Sequence, residues 1–407
     1  MASIRPFHAL RPAPAVAARV SSVPYDVVST EEARAQADGN PLSFLHVTRP
    51  EIDLPPGTDI HADEVYAQAV RNFAELKGAA PLVAEPEASL YFYRLADGAH
   101  QQTGLAACYS LDEYDQGLIK KHEHTRRDKE DDRTRHMIAL RAQTGVVFLT
   151  YRASAAVDGI ARRVCAAPPL YDFTAADGVR HTLWRAGGGE DGAALAEAFG
   201  RIPALYIADG HHRAASAARA RAVLRQESGG GGELDSMLAV AFPDEQVRIL
   251  PYNRIVKDLA GQTPEAFLAA LAARLPVSPG GPVPPRQGEA AMYLGGRWHA
   301  LDLGAARPAG ADRIAGLDVS ILQRAVLADL LGIGDVRSDP RIDFVGGARG
   351  TAALEQAVGE GRAAVAFSLY PVTVDDLMAI ADAGGIMPPK STWFEPKLRD
   401  GLLVHLI

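Results

Sequence analysis

A chain of 407 residues, 47% hydrophobic and 23% charged, is long enough for two or three domains and has the composition of a globular protein, not a disordered one. A formal net charge of −8 argues against nonspecific binding to a nucleic-acid backbone, and no apolar run reaches the length that spans a bilayer. Two cysteines, Cys108 and Cys165, are too few for a disulfide framework or a cysteine zinc site. The expectation is a cytoplasmic protein without nucleic-acid or membrane partners, its oligomeric state open and a homo-oligomer included. Both thiols are expected to be buried as small apolar groups.

The opening residues hold Arg5, Arg11 and Arg19, with no acidic residue before Asp26, as a targeting segment would. Pro6, Pro12 and Pro14 break the amphipathic helix such a segment needs, so an extended strand running into Val23-Pro24-Tyr25-Asp26-Val27 is expected instead. Thr30-Glu31-Glu32 starts a helix capped by Ser29 or Thr30 and ended by Asn40-Pro41. Residues 43–47 read as a strand. Residues 62–76 place Val65, Ala69, Val70, Phe73 and Leu76 at helical spacing before the stop Lys77-Gly78. Strands 89–95 and 104–109 pair antiparallel around Asp97-Gly98.

Residues 117–141 are the most charged stretch and end as a helix packing Met137, Ile138 and Leu140 inward. Its charges read as a solvated helical face with salt bridges. His122-Glu123-His124-Thr125 lies before that helix, where loop residues converge on a ligand. Zinc is not expected there, because the alternating histidines lack a fourth partner. An apolar strand at 145–151 follows. Then come a hairpin at 170–174 and 179–184 around Asp177-Gly178, and a helix at 190–199.

That helix delivers the chain to its most chemically dense turn. Leu205, Tyr206 and Ile207 form a buried strand, Asp209-Gly210-His211-His212-Arg213 follows, and residues 214–226 favour helix. Gly210 permits a tight strand-to-helix turn, so the positive end of the helix would face an anion. Two imidazoles, a carboxylate and a guanidinium supply an acid/base pair, a Mg²⁺ ligand and a phosphate fork. The plainer reading has Asp209 capping the helix and both histidines solvated.

Gly229 to Gly232 lack the lysine and hydroxyl context of a phosphate loop and read as a surface connection. Residues 237–242 form a strand, and Ile249-Leu250-Pro251-Tyr252-Asn253-Arg254 follows it, with Arg254 as an anion contact or a surface salt bridge. Residues 263–275 form a helix, and the Pro/Gly-rich stretch 276–288 is expected to separate subdomains. Strands 291–294 and 298–303 flank Gly295-Gly296. A helix at 318–331 is capped by Asp318 and ended by Gly332. A β-α-β-α run follows, at 342–345, 351–358, 363–369 and 374–383. In Met387-Pro388-Pro389-Lys390-Ser391-Thr392-Trp393-Phe394-Glu395-Pro396-Lys397-Leu398, two prolines hold an extended approach to a cation and two hydroxyls. The plainer reading is a C-terminal strap with Trp393 and Phe394 in the core.

The ADGHHR turn at 208–213 resembles the signature of a bacterial and archaeal family that carries a domain-of-unknown-function name. The loop His122-Glu123-His124-Thr125, Pro251 with Arg254, and the strap at 387–398 resemble further motifs of that family, which has Leu-Pro-Thr-His-Arg where this chain has Leu250-Pro251-Tyr252-Asn253-Arg254. The family's core is related to the ParB/sulfiredoxin superfamily, in which free-serine kinases also carry Asp-Gly-His-His-Arg. The resemblance implies an α+β fold of mixed α/β character, with a ParB/sulfiredoxin-like core and additional mixed-sheet elements. It is expected to divide into 1–246, with the DGHHR turn, and 247–407, closing with the strap.

It further implies a Mg²⁺-dependent phosphotransferase using ATP or ADP on a small hydroxylated metabolite, with free L-serine as the named substrate. Gly210, His211, His212, Arg213, Arg254, Ser391, Thr392 and Lys397 would bind the donor, with His212 also counted as catalytic. Glu123 or Asp209 would orient or deprotonate the hydroxyl while the other holds Mg²⁺, with His122 as partner. Lys390 or Arg254 would stabilise developing charge. A nucleotide-responsive binding protein without turnover and a phosphatase at the same anion site are the alternatives.

Overall fold

Alternating apolar side chains in the strand His100–Ser110 send Leu105, Ala107 and Tyr109 into one buried cluster, and the fold of the N-terminal half is built outward from it. A computed structural model describes residues 1–79, 82–187, 189–228 and 231–407. The fold is of the mixed α+β class. It divides into two compact units, one of residues 1–121, 125–247 and 396–407, the other of residues 122–124 and 248–395.

The first unit carries a nine-stranded mixed sheet. Its order is Ile119–Lys120, Leu205–Asp209, Val147–Tyr151, Ser236–Pro243, His100–Ser110, Leu90–Asp97, Arg180–Gly187 and Tyr171–Thr174, with Ile4–Arg5 also on His100–Ser110. Leu205–Asp209 runs parallel to Ile119–Lys120 and antiparallel to Val147–Tyr151. Leu195 and Phe199 of the helix Glu190–Phe199, and Ala214 and Ala217 of the helix His211–Ser228, bury against Leu149, Leu205 and Ile207. A second, four-stranded sheet joins Leu82–Ala84, Ala9–Pro12, Val404–Leu406 and Ala142–Gln143, beside a cluster holding Phe44, Phe73, Leu76 and Leu140.

The second unit is a six-stranded antiparallel sheet ordered Val277–Pro279, Arg297–Asp302, Glu289–Leu294, Val365–Leu369, Tyr252–Val256 and Ile342–Gly346. Leu354 and Ala357 of the helix Ala352–Gly359 cluster with Ile255 and Ala366. Arg248–Leu250 pairs separately with Trp393–Glu395.

Several expectations change. Residues 43–47 are not a strand: the chain is helical over Leu45–Thr48, with Phe44 and Val47 in one apolar cluster and Leu45 in another, and so short an apolar run has no distinguishing period. The stretch 276–288 separates nothing, because Val277–Pro279 is the edge strand of the second unit's sheet. The extended approach to Val23 is interrupted by a 3₁₀ turn at Pro14–Val16 and a short helix at Ala17–Val20, and Tyr25–Val27 forms a further 3₁₀ turn. The helix after the ADGHHR turn begins at His211, not at 214. The helix expected over 318–331 is α-helical over Asp318–Leu322 and π-helical over Gln323–Ala328. Leu317 is its N-cap, while Asp318 accepts the Gly288 amide at 3.0 Å. Cys108 is buried and Cys165 only half-buried. Gly229 and Gly230 lie outside the described residues.

Candidate functional site

The strand Leu205–Asp209 buries its first four residues and then breaks register beside Val147–Tyr151, leaving Asp209 partly open to solvent at its end. Gly210 turns the chain with φ of 92°, and a Cβ placed there would lie 3.1 Å from the Arg213 guanidinium. Only glycine satisfies both demands. The Gly210 carbonyl accepts the Ala214 amide at 3.0 Å, so the positive end of the following helix falls on His211, His212 and Arg213.

Arg213 is 5% exposed. Its Nη1 donates to the Val146 carbonyl, its Nη2 donates to Asp209 Oδ2 at 3.1 Å, and Asp26 lies 3.6 Å away. Burial alone would lower its pKa, yet Asp26, Asp209 and Asp400 together raise it, so the guanidinium stays charged. Both Nη atoms of Arg213 are taken by protein acceptors and pin the turn, while its buried Nε has no hydrogen-bond partner among the described residues.

Asp209 carries Arg213 and, at 3.5 Å, Lys397 on the same Oδ2. Burial pushes its carboxyl up, but Lys397, Arg213 and His211 outweigh that and hold it well below the usual carboxylate range. A carboxylate held anionic in this way is a weak general base and a suitable oxygen ligand for a hard cation. His211 is buried. His212 is half-buried, and its Nε2 accepts the Arg126 amide at 3.0 Å, which places the proton of the neutral ring on Nδ1.

Two acids that sequence reading left out of the site complete the cluster. Asp26 comes from the 3₁₀ turn near the N-terminus, and Asp400 follows the C-terminal strap. Asp400 is 1% exposed, and burial, with Asp26 adding to it against the pull of Arg213, raises its pKa to about 7. Asp26 stood out only as the first acidic residue of the chain. Asp400 carried no signal of its own.

The second unit holds the other expected residues. His122 is buried, its carbonyl accepts the Met387 amide at 2.8 Å, and its Nε2 lies 3.3 Å from Thr392 Oγ1. Glu123 is half-buried in the same loop. Ser391 is buried and donates to the Pro388 carbonyl at 2.5 Å. Lys390 is exposed, with Nζ 5.2 Å from the centre of the Tyr252 ring. Arg254, 2% exposed, donates through Nη2 to the Lys390 carbonyl at 3.0 Å and through Nη1 to Tyr252 O. It is no surface salt bridge: burial lowers its pKa to about 9. Asp209, Gly210, His211, His212, Arg213 and Lys397 thus belong to one unit, and His122, Glu123, Arg254, Lys390, Ser391 and Thr392 to the other.

Residues 4–320 match the family described as "Protein of unknown function (DUF1015)". The chain belongs to the DUF1015 family. The ADGHHR turn and the His122 loop lie inside the DUF1015 match, and the strap at 387–398 lies beyond it. No curated protein matches the chain.

Among solved structures, the chain is similar to SbnI with a C-terminal truncation from Staphylococcus aureus, at 13% identity, 74% of this chain, 87% of that chain and a TM-score of 0.40. A conserved hypothetical protein from Pyrococcus furiosus gives 16%, 74%, 95% and 0.35. A free serine kinase in complex with AMP gives 14%, 73%, 91% and 0.34. Among the described residues, no helix is long and apolar enough to cross a membrane.

Proposed function

We propose that the protein is a Mg²⁺-dependent phosphotransferase that moves a phosphoryl group from ATP or ADP to a small hydroxylated metabolite, with free L-serine as the first acceptor to test. The observation that carries this reading is the turn at 209–213. A positive-φ glycine sets two imidazoles at the positive end of a helix, next to a carboxylate held anionic by Arg213 and Lys397. Phosphoryl transfer needs positioned cationic and dipolar groups more than covalent chemistry.

In this reading Gly210, His211 and His212 hold the donor phosphates, and Arg213 fixes the turn they sit on. Asp209 suits Mg²⁺, which when bound would neutralise phosphate charge. The family resemblance, and not a shared site, gives Glu123 the acceptor proton and His122 its partner role. The same resemblance gives Lys390 the developing charge and Ser391 and Thr392 a supporting role, while Lys397 supports Asp209 directly.

A binding protein that responds to nucleotide without turnover is the second reading. It is favoured by the weak basicity of Asp209, which is held anionic by two cations. A ³¹P NMR experiment on the purified chain with ATP or ADP, Mg²⁺ and L-serine separates the readings. A phosphoserine resonance that needs both donor and serine supports the transferase, and Asp209→Asn is expected to lower its rate at least 100-fold with the fold intact. Wild-type turnover in Asp209→Asn would remove Asp209 from the reaction. Nucleotide-dependent stabilisation without a new phosphorus species supports the binding protein, and release of inorganic phosphate without an acceptor supports a hydrolase.

A further inference from the structure

Three features of the second unit meet at one cavity of about 360 Å³, lined by Arg254, Val319, Gln323, Val336, Pro388 and Pro389. The volume is at the small end of the range for small-molecule sites, roughly 300–1,000 Å³. The first feature is charge. Arg254 is buried and donates to two backbone carbonyls, its guanidinium carbon lies 5.4 Å from the Phe344 ring centre, and among the described residues no carboxylate pairs with it. A buried cation without an anion is costly unless something supplies one. At the exposed side, Arg337 and Asp335 neutralise one another through contacts of 2.9 and 3.0 Å, so the cavity's net charge is that of Arg254.

The second feature is the π-helical segment Gln323–Ala328, which begins at the lining residue Gln323. Such segments are rare and concentrate at functional sites. Gln323 is held in place by its amide nitrogen, which donates to the carbonyls of Ile333 at 2.8 Å and Gly334 at 3.3 Å, and its acceptor oxygen takes no part in either bond. The third feature is Lys390, whose φ of 58° is left-handed backbone in a residue with a side chain. That conformation accompanies the Lys390 carbonyl's bond to Arg254, right after the two prolines that wall the cavity.

We propose that this cavity binds a small organic anion, a carboxylate or a phosphate, with Arg254 as its charge partner, Gln323 as a polar contact and Val319, Val336, Pro388 and Pro389 as its apolar wall. The site stands on the second unit alone and holds whether or not the ADGHHR turn transfers phosphate. It makes Arg254 a ligand-binding residue in its own right.

The test is isothermal titration of the full chain with succinate, sn-glycerol 3-phosphate and, as the uncharged control, glycerol. One of the two anions is expected to bind at one site, with glycerol giving no heat, and which anion binds identifies the ligand chemistry. Arg254→Met is expected to weaken binding at least tenfold. Val336→Trp, at a half-buried position, keeps the guanidinium and fills the cavity, and is expected to weaken binding as much, so the result survives if Arg254→Met does not fold.

Absence of binding by either anion at millimolar concentration overturns the proposal, as does binding that Val336→Trp leaves unchanged, which would locate the anion elsewhere. Succinate binding by a chain that produces no phosphoserine would sink the serine-kinase reading alone. Phosphoserine production without succinate or glycerol 3-phosphate binding would sink this one alone.

Discussion

Two of the buried arginines, Arg213 and Arg254, are opposites in how their charge is met. Arg213 sits among Asp26, Asp209 and Asp400, which raise its pKa; Arg254 has backbone carbonyls and an aromatic ring, and its pKa falls to about 9. The lesson concerns what burial of a cation means. A guanidinium whose carboxylates are already in place is part of the frame, and one without them has room for an anion from outside.

Substitution sharpens this difference. The largest effect is expected from Arg213→Met, which leaves Asp26 and Asp400 close together without their cation and Asp209 with Lys397 alone, and should cost about 3–5 kcal/mol in urea unfolding. A loss below about 1 kcal/mol would mean that the acids do not depend on Arg213.

Asp400→Asn probes the same cluster through pH. The folded carboxyl, with its pKa raised to about 7, keeps its proton where the unfolded one has lost it, so the wild type loses stability as pH rises from about 4 to about 7. Asparagine does not titrate. Its advantage over the wild type should therefore grow across that window to an order of 2–4 kcal/mol and stay level above it. A pH-independent difference would break the assignment.

Gly210→Ala is expected to cost about 1–3 kcal/mol, because the left-handed turn disfavours a Cβ and the guanidinium of Arg213 lies 3.1 Å from where that Cβ would be. The smallest effect, and the one opposite in sign to Arg213→Met, is expected for Arg254→Met in the absence of ligand. Removing an unmatched buried charge should leave stability unchanged or raise it by about 1–2 kcal/mol, read as a shift of the thermal midpoint. A loss comparable to that of Arg213→Met would make the two arginines equivalent and erase the contrast.

Local chemistry was legible from the chain alone. Ser29 and Glu32 form the reciprocal cap expected where Thr30-Glu31-Glu32 begins a helix, the helix Glu190–Phe199 has its expected limits, and Gly98 turns the hairpin with φ of 57°. Each depends on neighbours within a few residues, so the sequence order contains the interaction. The strand-to-helix turn at Gly210 was legible for the same reason, since glycine, the apolar run before it and the helix formers after it are contiguous.

The sequence by itself therefore determined where most helices, hairpins and the ADGHHR turn lie, because capping, turn geometry and periodicity act over a handful of residues. Only the tertiary structure decided that residues 43–47 curl into a helix between two apolar clusters, and that 276–288 contributes an edge strand. It also decided that Arg213 is met by Asp26 and Asp400 from far along the chain while Arg254 is met by no acid among the described residues. Burial and charge pairing are properties of what surrounds a side chain, and for these residues the surroundings come from distant segments.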